Sequence, residues 1–147
     1  MTSKRSVLFL CTHNAARSQM AEALLRQMAG DRFTAASAGL EPTAVHSMTR
    51  RVLVEAGIDV SGLHAKGVNE FLGKVSVHYA IVVCGEEEWQ CPRLFPFALG
   101  NLRWPFEDPA QASGTEAERL AAFRRVRNAI EARLRAGLRE LEHSFRG

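Results

Sequence analysis

The chain has 147 residues, of which 46% are hydrophobic and 24% charged, with a formal net charge of +3. That length and balance suit one globular domain with a full core and no need of a structural metal or disulfide. No apolar run approaches the roughly 18 residues of a membrane span, and residues 7–10 are too short for the ~7–15-residue core of a signal peptide. The protein is therefore expected in the cytoplasm, with no membrane partner and its three cysteines reduced at rest and kept for chemistry.

After a polar lead-in, Val7, Leu8, Phe9 and Leu10 make a short apolar strand. The run Cys-Thr-His-Asn-Ala-Ala-Arg-Ser at 11–18 reads as a tight loop, and Met20, Ala21, Leu24, Leu25 and Met28 recur at helical spacing over 19–28, closed near Gly30. Residues 33–38 are expected as a second strand, and the helix-length connection makes the two parallel with a right-handed crossover. A turn with Pro42 leads into a helix near 47–56, with Met48, Val52 and Leu53 on one face and Gly57 as its stop. A loop at 59–65 and a short helix at 68–72 follow.

Residues 79–83 are a continuous apolar run, the pattern of a strand buried on both faces, and Cys84 stands at its end. In open parallel sheets sites form beyond the carboxyl ends of strands, so Cys84 and Cys11 open onto one edge. Residues 99–104 give a fourth strand and 105–110 leave that same edge as a loop. Thr115 and Glu118 form a capping box, after which Leu120, Phe123, Val126, Ile130, Leu134, Leu138 and Leu141 mark one long amphipathic helix. Its arginines read as a solvated face. With no nucleic-acid motif or aromatic interleaving, no nucleic-acid partner is expected.

The loop at 11–18 carries the chemistry. Between a strand end and a helix start, backbone N–H groups converge on one point and bind a tetrahedral anion. Thr12, His13, Asn14, Ala15, Ala16, Arg17 and Ser18 form that oxyanion site, with Cys11 at its base. Arg17 offers a planar fork of donors to two oxygens of the anion, and the same positive field together with the Ser18 hydroxyl favours Cys11 as a thiolate nucleophile.

The run resembles the anion loop of low-molecular-weight protein tyrosine phosphatases. With residues 18–22 (Ser-Gln-Met-Ala-Glu) added, it is more similar still to thioredoxin-coupled arsenate reductases of the same fold. Cys84, Cys91 and the segment from Trp104 to Asp108, Pro109 and Ala110 stand at matching places, so the resemblance spans nearly the whole chain. It implies a single three-layer α/β domain over 1–147, with a four-stranded parallel open sheet in the order 2-1-3-4, helices on both faces, and a monomer. The activity it implies is reduction of arsenate to arsenite, with phosphate or sulfate as competing anions. Cys11 attacks arsenic while Asp108 supplies a proton to the departing oxygen; Cys84 then attacks Cys11, and Cys91 attacks Cys84 to leave a disulfide for thioredoxin to reduce. Residues 86–89 permit a helix, whose rise of about 1.5 Å per residue separates Cys84 and Cys91 by roughly 10 Å. A disulfide tolerates Cα atoms only up to about 7 Å apart, so 84–91 is expected to change conformation during the cycle.

The resemblance also assigns Asn14, Glu22 and Ser37 to a potassium ion that steadies the site. This chain departs from it: Lys66 stands where the fourth ligand, an Asp, is expected, and an ammonium there repels the ion. No tightly bound cofactor is therefore expected, and Lys66 joins Asn14, Glu22 and Ser37 as support of the site. Two other functions compete. A tyrosine phosphatase needs only Cys11, Arg17 and Asp108, but its members typically carry an aromatic residue after Asp-Pro where this chain has Ala110, and it has no use for Cys91. A non-enzymatic oxyanion-binding or phosphate-carrying module leaves Asp108 and both later cysteines without a role. Mycothiol-linked arsenate reduction is a nearer variant that does not need three cysteines.

Overall fold

Strands β1 (Arg5–Cys11), β2 (Phe33–Gly39), β3 (Val77–Val82) and β4 (Ala98–Arg103) form one parallel sheet in the order β2-β1-β3-β4. The computed structural model describes residues 4–72, 77–85, 95–96 and 98–143. Successive strand residues point to opposite faces, and Val7, Leu8, Phe9 and Leu10 are all buried. Both faces of β1 are therefore covered, as its unbroken apolar run predicts. Edge strand β4 alternates exposed Leu99 and Asn101 with half-buried neighbours.

Helix α1 (Arg17–Ala29) returns the chain from β1 to β2 and packs on both. The long α3 (Glu116–His143) lies against α1 and α2 (Ser47–Glu55), burying Leu120, Phe123, Val126, Ile130, Leu134 and Leu141. The way from β2 to β3 crosses β1 in the direction opposite to the way from β1 to β2. Gly57, at φ 80°, ends α2: its N–H donates to Val54 O, and that of Ile58 to Leu53 O, the paired bonds of a left-handed C-cap. The Thr115–Glu118 box forms as expected, with both reciprocal bonds at 3.1 Å.

Several boundaries differ from the sequence reading, among them β4, which runs Ala98–Arg103 rather than 99–104. Helix α1 begins at Arg17, two residues early, because its first turn is polar and yet buried. The segment at 68–72 is a single 3-10 turn, Val68–Glu70, too short for the costly nucleation of an α-helix. Strand β3 starts at Val77, and Val83 leaves the ladder while its N–H still reaches Leu10 O at 2.9 Å. The arginine face of α3 is also more engaged than a solvated face: Arg124 and Arg127 pair with Glu55 of α2, and Arg125 with Glu107. Hydrogen bonding from Arg124 holds the Glu55 carboxyl down to about 2. Among the described residues, no helix is long and apolar enough to cross a membrane.

Candidate active site

Strand β1 delivers Cys11 to the carboxyl edge of the sheet, buried at 3% exposure. The loop beyond it is seated on residues 40–49: Leu40, Glu41, Thr43 and His46 donate their N–H groups to the carbonyls of Cys11, Thr12, His13 and Ala15, and Thr49 Oγ1 donates to Ala15 O at 2.9 Å. All peptide bonds of the described chain are trans, so each N–H points away from the carbonyl of its own peptide unit. Carbonyls held outward by 40–49 turn the N–H groups of Thr12, His13, Asn14 and Ala16 inward. That of Asn14 lies 3.2 Å from Cys11 Sγ. Asn14 takes the left-handed conformation, φ 54°, which Asn tolerates better than most residues. Ala16 gives α1 no side-chain cap, which leaves the N–H groups of the first helical turn for an anion.

Arg17 is buried at 4% exposure. Its guanidinium donates to Phe106 O at 3.1 Å and stands 3.6 Å from Asp108 Oδ2, so the loop after β4 brings an acid and a cation to the same point. The other Asp108 oxygen accepts from Ala110 N at 3.0 Å, fixing the carboxyl. Cys11, His13, Ala15, Ala16, Arg17, Asp108 and Ala110 together line a cavity of about 30 Å³. It suits a small tetrahedral anion, and none of these lining residues is Phe, Tyr or Trp. His13, exposed at the rim, has Nδ1 3.1 Å from Glu41 O. His46, at the start of α2, accepts from Met48 N through Nδ1 at 3.0 Å and rests on Phe123. Burial, and then the Arg119 charge, hold its imidazole below the usual range against the opposing pull of Asp108.

Cys84, fully buried, follows β3, the strand beside β1. Its Sγ lies 4.0 Å from Leu10 O. Cys84 is disulfide-bonded, whereas Cys11 is free. Cys91, with the helix expected at 86–89, lies outside the described residues.

The remaining predicted residues gather behind the loop. Ser18 Oγ lies 2.8 Å from Cys11 Sγ. Asn14 Nδ2 donates to Ser18 Oγ and Ser37 Oγ, at 2.8 and 2.9 Å, and Ser37 Oγ donates to Glu22 Oε1 at 2.7 Å. Lys66 Nζ stands 3.4 Å from the same Glu22 oxygen and donates to His64 O at 3.0 Å. These residues do not fit a potassium ion. The Asn14 carbonyl oxygen is taken by Gln19 Nε2 and Lys66 N, both at 2.8 Å, and an ammonium already faces the carboxylate. The sequence reading missed Gln19, which bridges Asn14 and His64 O. It also missed Gly39, whose missing side chain lets β2 abut the loop. A glycine closing a strand was the available signal for the second, whereas nothing in the sequence marks Gln19 as buried.

The low molecular weight phosphotyrosine protein phosphatase family model matches residues 6–146. An arsenate reductase of Bacillus licheniformis is 37% identical over 136 residues, covering 90% of this chain and 94% of the relative. The crystal structure of an arsenate reductase from Archaeoglobus fulgidus superposes with a TM-score of 0.70 at 34% identity, covering 88% of this chain and 96% of that one. A thioredoxin-dependent arsenate reductase of Corynebacterium glutamicum gives a TM-score of 0.69 at 26% identity, over 97% of this chain and 64% of the other.

Proposed function

Because the chain belongs to the low molecular weight phosphotyrosine protein phosphatase family, we propose that it is the arsenate-reducing variant of that design, working through Cys11, Cys84 and Cys91 and regenerated by thioredoxin. One observation carries the reading: Cys11, Arg17 and Asp108 line one small cavity in which Ala110 stands in place of an aromatic residue after Asp-Pro, with Cys84 at the end of the neighbouring strand. The relatives named arsenate reductase support it, and the Corynebacterium protein described as thioredoxin-dependent supports the reductant.

In the first step the Cys11 thiolate forms a bond to arsenic(V), and an arsenate oxygen leaves as water with a proton from Asp108. Arg17 and the inward N–H groups hold the remaining oxygens. Cys84 thiolate then attacks Cys11 Sγ. The sulfur–arsenic bond breaks with its electron pair going to arsenic, which departs as arsenite, arsenic(III), and a Cys11–Cys84 disulfide remains. Attack of Cys91 on Cys84 moves the disulfide and frees Cys11. Thioredoxin dithiol then reduces the pair. The protein works as a cytoplasmic monomer, and no step uses a metal ion.

The deciding experiment measures arsenite release with thioredoxin, thioredoxin reductase and NADPH. Sustained arsenite production tied to NADPH oxidation is expected. Release of phosphate from p-nitrophenyl phosphate without any arsenite from arsenate makes the chain a phosphatase instead.

A further inference from the structure

The geometry points to Arg125 as a positioning residue for the acid: its guanidinium fork on Glu107 anchors to α3 the backbone that carries Asp108 into the anion cavity. The inference rests on Asp108 being the proton donor of the proposed reaction. The segment leaving β4 is tied to the interior as far as Phe106, whose N–H donates to Val83 O at 3.2 Å and whose carbonyl accepts from Arg17 at 3.1 Å. Past that point it is tied to α3. Arg125 Nε and Nη2 donate to the two Glu107 oxygens at 2.7 and 3.0 Å, and buried Pro109 opens a short turn that packs on the same helix. Asp108 lies between these two anchors.

Asp108 has extended backbone, φ −85° and ψ 107°, and side chains of successive extended residues point to opposite sides. Glu107 drawn outward to Arg125 therefore turns Asp108 inward, where it lines the cavity with Cys11 and Arg17. The contacts of Asp108 itself do not set that direction. Its Oδ1 accepts from Ala110 N, two residues on, and its Oδ2 stands 3.6 Å from Arg17, beyond the roughly 2.7–3.2 Å of a hydrogen bond. The Arg125 fork does set it, because two parallel N–H···O bonds fix the orientation of a carboxylate as well as its distance. The same bonds hold the Glu107 carboxyl below its ordinary range, so both partners stay charged. Arg125 and Glu107 are 60% and 53% exposed, and a pair so exposed contributes little to stability. Its loss falls on the placement of Asp108 rather than on folding.

The test measures kcat and KM for arsenate in the thioredoxin-coupled assay, with thermal melting alongside. Arg125→Ala is expected to lower kcat about tenfold, within the roughly 10²-fold that a misplacement of about 1 Å costs, and to leave KM and Tm as in the wild type. Because Arg125 acts through Asp108, the same change made in Asp108→Asn should lower kcat no further. A kcat within twofold of wild type overturns the inference. So does a second tenfold loss on top of Asp108→Asn, or a rate loss that comes with a Tm lower by several degrees, because Arg125 would then act on the fold and not on the acid. If Arg125→Ala does not fold, Glu107→Ala decides: a similar loss that vanishes in Asp108→Asn upholds the anchor, and a wild-type kcat overturns it. Hydrolysis of p-nitrophenyl phosphate, which needs Cys11, Arg17 and Asp108 but no cysteine relay, is followed in parallel. These ratios on the ester without any arsenite from arsenate refute the proposed function alone. Arsenate reduction without these ratios refutes the inference alone, and activity on neither substrate removes both.

Discussion

A methyl group at Gly39 should damage chemistry far more than stability. A Cβ there would stand 2.8 Å from Asn14 N, 2.8 Å from Thr12 O and 2.9 Å from His13 C. All three are backbone atoms of the anion loop, so no side chain can swing aside. Ordinary contact needs about 3.5 Å, and the loop or the strand must yield by roughly 0.7 Å. The strand is held: Gly39 pairs in register with Cys11, and its N–H donates to Lys66 O at 2.9 Å. The loop therefore moves, and with it the inward N–H groups. Overpacking of this kind costs about 1–3 kcal/mol, or a fall in Tm of roughly 2–4 °C per kcal/mol for a domain of this size. A misplacement approaching 1 Å costs up to about 10²-fold in rate. Gly39→Ala is thus expected to lose between about 10- and 100-fold in kcat/KM for arsenate in the NADPH-coupled assay. Gly57→Ala is the matched control. Its Cβ meets nothing within 4 Å, but its φ of 80° strains any side chain, so Tm should fall by a comparable few degrees while turnover stays unchanged. Turnover within twofold of wild type in Gly39→Ala, or an equal loss in Gly57→Ala, would refute the link between loop seating and chemistry.

Cys11→Ser should abolish both arsenate reduction and any side activity on p-nitrophenyl phosphate. Cys91→Ser should stop thioredoxin-driven turnover yet still release a single equivalent of arsenite in a rapid-quench measurement; repeated turnover at the wild-type rate counts against the relay. Asp108→Asn removes the proton donor and should lower kcat by about 10²–10⁴-fold while phosphate still protects Cys11 from alkylation; a kcat within threefold of wild type argues against the acid role. His46 has a folded-state pKa below its unfolded value near 6.5. The unfolded chain thus binds more protons, and the stability this contributes is full above about pH 6.5 and lost as pH falls through the lower folded value. Protonation also converts Nδ1 from the acceptor of the Met48 N–H into a second donor facing it. Tm should therefore drop between about pH 7 and 5, and His46→Asn, which keeps a cap but does not titrate, should flatten that slope.

The parts of this molecule that could be read from sequence are those whose physics is local. An unbroken apolar run between polar breaks identified β1 and β3 because both faces of a central strand are buried, and the threefold and fourfold spacing of leucines identified α3 for the opposite reason. Where polar residues are buried the same logic fails. Arg17 and Ser18 sit in the first turn of α1, but a method that follows apolar periodicity starts the helix after them. The candidate site divides along the same line. Its anion loop is contiguous, so Cys11, Arg17 and Ser18 were legible together. Its supports are not contiguous: Lys66 N reaches Asn14 across 52 residues, and Gln19 reaches the His64 carbonyl across 45.

The donors that hold the loop in shape lie still further from sequence reading, because most are backbone N–H groups of residues 40–46, and almost any residue except proline supplies one. Their effect is visible only through what they forbid. Gly39 must lack a side chain because the segment that follows it has to lie against the loop closely enough for Leu40 and Glu41 to donate to Cys11 and Thr12. Two of those donors come directly after that glycine, so the residue that permits the close approach also sets the register of the bonds that exploit it. Pushing β2 away to relieve a larger side chain would lengthen both bonds at once. Cys11 can therefore keep its oxyanion site only while position 39 stays a glycine, and this requirement is carried by a residue with no functional group at all.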